Sequence, residues 1–224
     1  MNIMKIEQYY YELENQTASV FRAHPELRDH RESFPWLTGA LGDPFSGIWF
    51  LAENPSLKML ERATNPGGGP LTKEAQWYAS RGDKLFREKL VKYGFKKGGV
   101  DTLGGWNCYI SNVIKEADYS KDWRAKTQDL LRQAVDVWMP VLQWEIANSK
   151  PKLVVAVGRQ AEKYVNYLRR DKGVRFPRVE FMQHYAYIGQ RAEGKLGPMH
   201  PIRVQKYDDQ MAAIHKLNQE LIQK

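Results

Sequence analysis

Short, continuously apolar runs alternate with amphipathic stretches along most of the chain. The clearest runs are Ile48 to Ala52 (IWFLA), "NCYISNVI" (107–114), "KLVVAVG" (152–158) and "RVEFMQ" (178–183). Their length and β-favouring residues predict buried strands. Between them, "DKLFREKLVKYG" (83–94) places Leu85, Phe86, Leu90 and Val91 at helical spacing and ends on Gly94, a helix stop. "AKTQDLLRQAVDVWMPVLQWEIANS" (125–149) predicts a long amphipathic helix bent at Pro140. "RQAEKYVNYLRR" predicts a helix after Gly158, and "YDDQMAAIHKLNQELI" a closing one. Residues 4–28 look helical, "SLKMLERA" (56–63) predicts a short helix, and 39–47 and "NPGGGP" (65–70) read as loops.

Strands separated by helices predict an α/β fold: a three-layer α/β/α sandwich around a central, mostly parallel four-stranded sheet. One domain over 1–224 accounts for the chain, with 1–40 as an N-terminal helical extension. Ligands of such sheets bind beyond the carboxyl ends of the strands. Three exits carry polar side chains there: Glu53-Asn54, Ser111-Asn112 and His184.

Composition narrows the partners. The 224 residues are 42% hydrophobic and 27% charged, enough for a real core. The net charge is +8, with a pI near 9.4, which favours a polyanion such as nucleic acid. No apolar run reaches the roughly 20 residues that span a bilayer, and the N-terminus lacks a secretory pattern. One cysteine, Cys108, leaves no internal disulfide or multi-cysteine metal site. The expectation is a cytoplasmic monomer with no membrane partner.

Each polar residue also has a plain structural reading. Asn54-Pro55 is ordinary turn chemistry. Glu53 alone reads as a solvated acid, Asn112 as a strand end, and His184 as a core histidine tied to a carbonyl. Cys108 reads as a small hydrophobe. "GGG" at 67–69 is no phosphate loop, because no Gly-Lys-Ser/Thr follows.

The order of these segments resembles the uracil-DNA glycosylase superfamily from roughly Ile48 to Ile188. "FLAENPS" is similar to its first motif, a strand followed by Gly-x-Asn-Pro-Gly, Gly-Gln-Asp-Pro-Tyr or Gly-Glu-Ala-Pro-Gly in different branches. "YISNVIKEAD" is similar to Ile-Thr-Asn-Val-Val-Lys-Cys of the thermostable branch, and "MQHYAYIGQ" to Tyr-His-Pro-Ala-Tyr-Leu. "DKLFREKLVKYGF" and "PKLVVAVGRQAEKYV" resemble its helix and its central strand and helix. Departures are Ala52 for glycine, Tyr185 for proline, and Glu116 at the place of an iron–sulfur cysteine. No cofactor or metal is therefore expected.

The resemblance implies a DNA glycosylase that hydrolyses the bond between a flipped-out base and deoxyribose. It implies catalytic roles for Asn54 and Glu53 at the attacking water and for His184 at the departing base. Asn112 would read the base edge, and Tyr78, with Trp77 as the neighbouring choice, would stack on it. Tyr185, Tyr187 and Ile188 would contact DNA as a wedge in the vacated stack. Ser56 stands where the strict uracil branch has a tyrosine that crowds carbon 5, so 5-substituted pyrimidines are expected to fit. Repair of damaged bases and defence against phage DNA with bulky modified cytosines both follow from that range. A non-catalytic DNA-binding module, or an α/β enzyme acting on small nucleotides, are the competing classes.

Overall fold

The protein is described by a computed structural model covering residues 4–30, 40–57, 81–188 and 199–223. In chain order the elements are α1 (Ile6–Ala23), β1 (Leu41–Gly42), β2 (Ile48–Ala52), α2 (Arg81–Lys92) and β3 (Tyr109–Asn112). They continue with α3 (Ser120–Ala125), α4 (Gln128–Ser149), β4 (Leu153–Val157), α5 (Arg159–Arg170), β5 (Arg178–Met182), a 3-10 turn (Tyr185–Tyr187) and α6 (Pro201–Ile222). The short helix expected at 56–63 lies almost wholly, and the loop at 65–70 wholly, outside the described residues. The chain runs as an unbroken helix through Pro140, and Thr127 caps that helix by accepting from the Leu130 N–H.

The sheet order is β1-β3-β2-β4-β5. β2 lies between β3 and β4 and pairs with both in parallel, and β4 pairs in parallel with β5. The expected four parallel strands are present, and a fifth, β1, joins antiparallel at the β3 edge. Two residues, Leu-Gly, carry no readable periodicity. Gly42 holds φ +99°, and a Cβ there would collide with the Cys108 carbonyl oxygen, so this edge pairing needs glycine.

Alternation along the strands divides the core in two. Trp49, Leu51, Tyr109, Val154 and Ala156 pack with residues of α1, α4 and α5. Ile48, Phe50, Cys108, Ile110, Leu153, Val155 and Val157 pack with residues of α2 and α6. Both faces are buried, which is why these strands read as continuous apolar runs. Among the described residues no helix is long and apolar enough to cross a membrane.

The chain leaves β2 for β3 on one side and returns to β4 on the other. The carboxyl end of β2 is therefore the switch point, where a crevice opens in sheets of this kind.

Candidate active site

Parallel pairing continues past the end of β2. Val113 N–H donates to the Ala52 carbonyl (2.9 Å) and Ile114 N–H to that of Glu53 (3.1 Å). Farther out, Asp118 N–H donates to the Pro55 carbonyl (3.3 Å) and Leu57 N–H to that of Asp118 (3.1 Å), so Ser56 and Asp118 form a bridge. The buried Asp118 carboxylate is gripped by Arg28 (3.0 Å) and Lys126 (3.1 Å). On this frame the Asn54 amide donates from Nδ2 to the Glu116 carbonyl (3.3 Å). That bond fixes the amide plane. Among the described residues its Oδ1 is left to accept from something else.

Glu53 is half-buried beside it. Trp123 Nε1 donates to Glu53 Oε1 (2.7 Å), and the Tyr164 hydroxyl donates to the same oxygen (3.3 Å). Burial raises the Glu53 pKa above the usual carboxylate value, while these two donors and the charge of Arg124 pull the other way. Among the described residues, both of these bonds hold the carboxylate by the one oxygen, Oε1.

His184 follows β5. Its Nδ1 accepts the Ala186 N–H (3.1 Å), capping the 3-10 turn. Burial, then the charge of Arg124, lowers its pKa to about 4. At neutral pH the ring is therefore uncharged, and because Nδ1 is an acceptor the proton sits on Nε2. His184 is thus a neutral donor, well suited to an oxygen that gathers negative charge. Gly158 makes room for it: φ is +91°, and an added Cβ would lie 3.1 Å from the His184 Cβ.

Asn112 ends β3 opposite Ala52, so it leaves the sheet beside Glu53 and Asn54. Ser56 is half-buried at the same exit. Tyr78 and Trp77 lie outside the described residues. The wedge residues divide. Tyr185 lies flat on Phe86 (centroids 5.3 Å apart, planes at 15°) and against the His184 ring (4.1 Å), where it supports the histidine. Tyr187 is half-buried beneath Arg203, whose guanidinium is 5.0 Å from the ring centroid. Ile188 is a correction: at 1% exposure it belongs to the core between α2 and α6, so it is not placed to enter a base stack.

Sequence reading missed Trp123, Tyr164 and Arg124. The first two aim the Glu53 carboxylate, and the exposed Arg124 bears electrostatically on both Glu53 and His184. Nothing local marks them, since Trp123 and Tyr164 reach Glu53 from 70 and 111 residues away.

The residues do not fit an iron–sulfur cluster. Cys108 is buried, and burial pushes its thiol pKa up. The Glu116 carboxylate accepts the Arg28 backbone N–H (3.1 Å). Among the described residues, no group of three His, Cys, Asp or Glu side chains is set to hold a metal.

Residues 40–221 match the family model of the uracil DNA glycosylase superfamily. The chain belongs to that superfamily. Among curated proteins no sequence matches it. The match starts at Ala40, beside β1, and ends within α6, so it takes in the whole sheet and leaves α1 outside. Members of the uracil DNA glycosylase superfamily are in general DNA glycosylases and act on DNA, which is the activity and the partner that membership points to.

Proposed function

We propose that the protein is a monofunctional DNA glycosylase that hydrolyses the N-glycosidic bond of a flipped-out uracil or 5-substituted pyrimidine and leaves an abasic site. The reading is carried by one arrangement: a neutral, Nε2-protonated His184 and an oriented Glu53–Asn54 pair, all at the carboxyl ends of one sheet. A DNA-binding module alone has no use for that combination.

The chemistry follows from charge. As the bond from the sugar carbon to the base nitrogen breaks, its electron pair leaves with the base. Positive charge develops on the sugar and negative charge on the base oxygen. His184 Nε2–H donates to that oxygen and stabilises the departing anion. Asn54 Oδ1 and the other oxygen of Glu53 hold a water against the sugar carbon. The water oxygen bonds to that carbon, and Glu53 takes the released proton. The raised Glu53 pKa suits a group that must accept a proton and give it up again.

Asn112 reads the base edge with one donor and one acceptor. Tyr78 or Trp77 stacks on the ring, and Tyr187 and Arg203 face the DNA strand. Ser56 leaves space near carbon 5, which brings bulky modified cytosines of phage DNA into range alongside damaged bases.

The experiment is incubation with matched duplexes carrying uracil, 5-hydroxymethyluracil, thymine opposite guanine, or 5-substituted cytosines, followed by hot alkali. Alkali-labile sites at one of the modified pyrimidines are expected. DNA bound but never cleaved would leave the binding-module reading. Uracil released with every 5-substituted base refused would overturn the open pocket alone.

A further inference from the structure

Directly behind Asn112 lies a charged pair sealed from water. Lys115 and Glu145 are each 0% exposed. The Lys115 ammonium lies 2.7 Å from Glu145 Oε2 and donates to the Ser111 hydroxyl (2.6 Å) and to the Asn112 backbone carbonyl (2.9 Å). Two of its protons are thus given to neutral acceptors, and the ammonium is paired with the carboxylate. Glu145 Oε1 in turn accepts from the Tyr109 hydroxyl (2.8 Å) and the Ser111 hydroxyl (2.9 Å), and the Tyr9 hydroxyl reaches that of Tyr109 (3.5 Å). The network thus ties α1, α4 and β3 together at the strand end that bears Asn112.

Such a pair is a poor device for stability. Desolvating two ions costs about as much as their attraction returns, and well-packed apolar side chains of the same volume do as well or better. Burial lowers the Lys115 pKa, with Glu145 opposing, which expresses that cost. What the pair does supply is direction. Lys115 comes three residues after Asn112 and bonds back to its carbonyl, which fixes the peptide plane following Asn112. Ser111, on the same ammonium, fixes the residue before it. The backbone on both sides of Asn112 is held, and with it the line along which the amide leaves the strand.

We infer that Lys115, held by Glu145, is a positioning residue that aims Asn112 at the base. The inference rests on the glycosylase reading above. It predicts that the charge pair governs excision and base discrimination separately from folding.

The test compares Lys115→Met with the double variant Lys115→Met/Glu145→Leu, measuring thermal midpoint, single-turnover excision and the ratio of rates on uracil and cytosine duplexes. Lys115→Met strands a buried carboxylate and should lose both stability and activity. The double variant removes the stranded charge and should regain part of the midpoint that Lys115→Met loses, short of wild type because the Tyr109 and Ser111 hydroxyls give up their shared acceptor, yet excise at least tenfold more slowly, with a reduced uracil-to-cytosine ratio. Recovery of rate and ratio together with the midpoint would overturn the inference.

If the double variant does not fold, Glu145→Gln serves in its place. Without its counter-ion the buried amine loses its proton as pH rises. Excision by this variant should fall at least fivefold between pH 7 and pH 9 while the wild type stays level. Among the described residues, the titratable groups facing the amine are Glu145 and, through Ser111 and Glu145, Tyr109 and Tyr9. A level profile for Glu145→Gln would refute the positioning role. A wild-type protein that releases no base from any duplex would refute the glycosylase reading instead.

Discussion

The protonation of His184 is the sharpest lever on the proposed mechanism. Its folded pKa of about 4 compares with about 6.5 for an unperturbed imidazole. At pH 7 that leaves roughly one ring in a thousand protonated, against about one in four without the shift. At pH 5.5 the corresponding fractions are about 3% and about 90%. A histidine that must donate while neutral therefore works unchanged at pH 5.5, whereas an unshifted one would lose about tenfold. The sign for stability follows too. The folded pKa lies below the unfolded one, so the unfolded chain binds the extra proton first. Stability from this group is intact above pH 6.5 and is lost between pH 6.5 and pH 4, by about 3 kcal/mol. Glu53, with its pKa raised, acts in the opposite sense and gains native-state stability as it protonates.

Asparagine and glutamine separate the two nitrogens of His184. His184→Asn keeps an acceptor near the Nδ1 position for the Ala186 N–H but has no donor at Nε2. It should hold its pH 7 stability, lose on the order of 100-fold or more in single-turnover excision, and shed the acid-sensitive about 3 kcal/mol. His184→Gln reaches the Nε2 position with an N–H but gives up the cap, so it should keep more activity and less stability. Nitrogen-15 spectra of the imidazole give the tautomer directly, and urea unfolding at pH 7 and pH 4 gives the stability difference. An imidazole titrating near pH 6.5 in the folded protein, or equal excision by the Asn variant and the wild type, would refute the reasoning.

Three further outcomes are expected. Gly158→Ala puts a Cβ against His184 at φ +91° and should cost about 1–3 kcal/mol in chemical denaturation, with excision falling as the ring is displaced. Trp123→Phe removes a donor that lowers the Glu53 pKa, so the acid limb of the excision rate should move to higher pH in a pH–rate profile. Asn54→Ala should lose on the order of 100-fold in single-turnover excision, while its thermal midpoint shows only the loss of one bond to the Glu116 carbonyl.

The strands and most helices were legible because burial on both faces writes continuous apolar runs and helical spacing into the chain. Glu53, Asn54, Asn112 and His184 were legible for a related reason: a polar residue straight after such a run marks a strand exit. Partners reached only in the folded state were not. Trp123 and Tyr164 look like ordinary packing aromatics, and Arg124 like any surface charge, until α3 and α5 close on the β2 exit. Lys115 also reads as a surface cation, because its counter-ion stands 30 residues later on α4. Ile188 misled in the opposite direction. The resemblance implied a place in the wedge, yet at the end of the 3-10 turn it joins the core cluster that includes residues of α2 and α6.

The strand order has a consequence for how substrate range can change. Asn112 and His184 leave β3 and β5, the outer members of a run of four parallel strands with β2 and β4 between them. Neighbouring strands lie about 4.8 Å apart, so the two exits are roughly 14 Å apart whatever the loops do. The sheet serves as a ruler across the site: its backbone ladder sets the spacing of the strand ends from which the proposed base reader and the proposed leaving-group donor depart. On the proposed reading, new base preferences can arise at positions within that span, such as Ser56, while the strand ends keep their spacing.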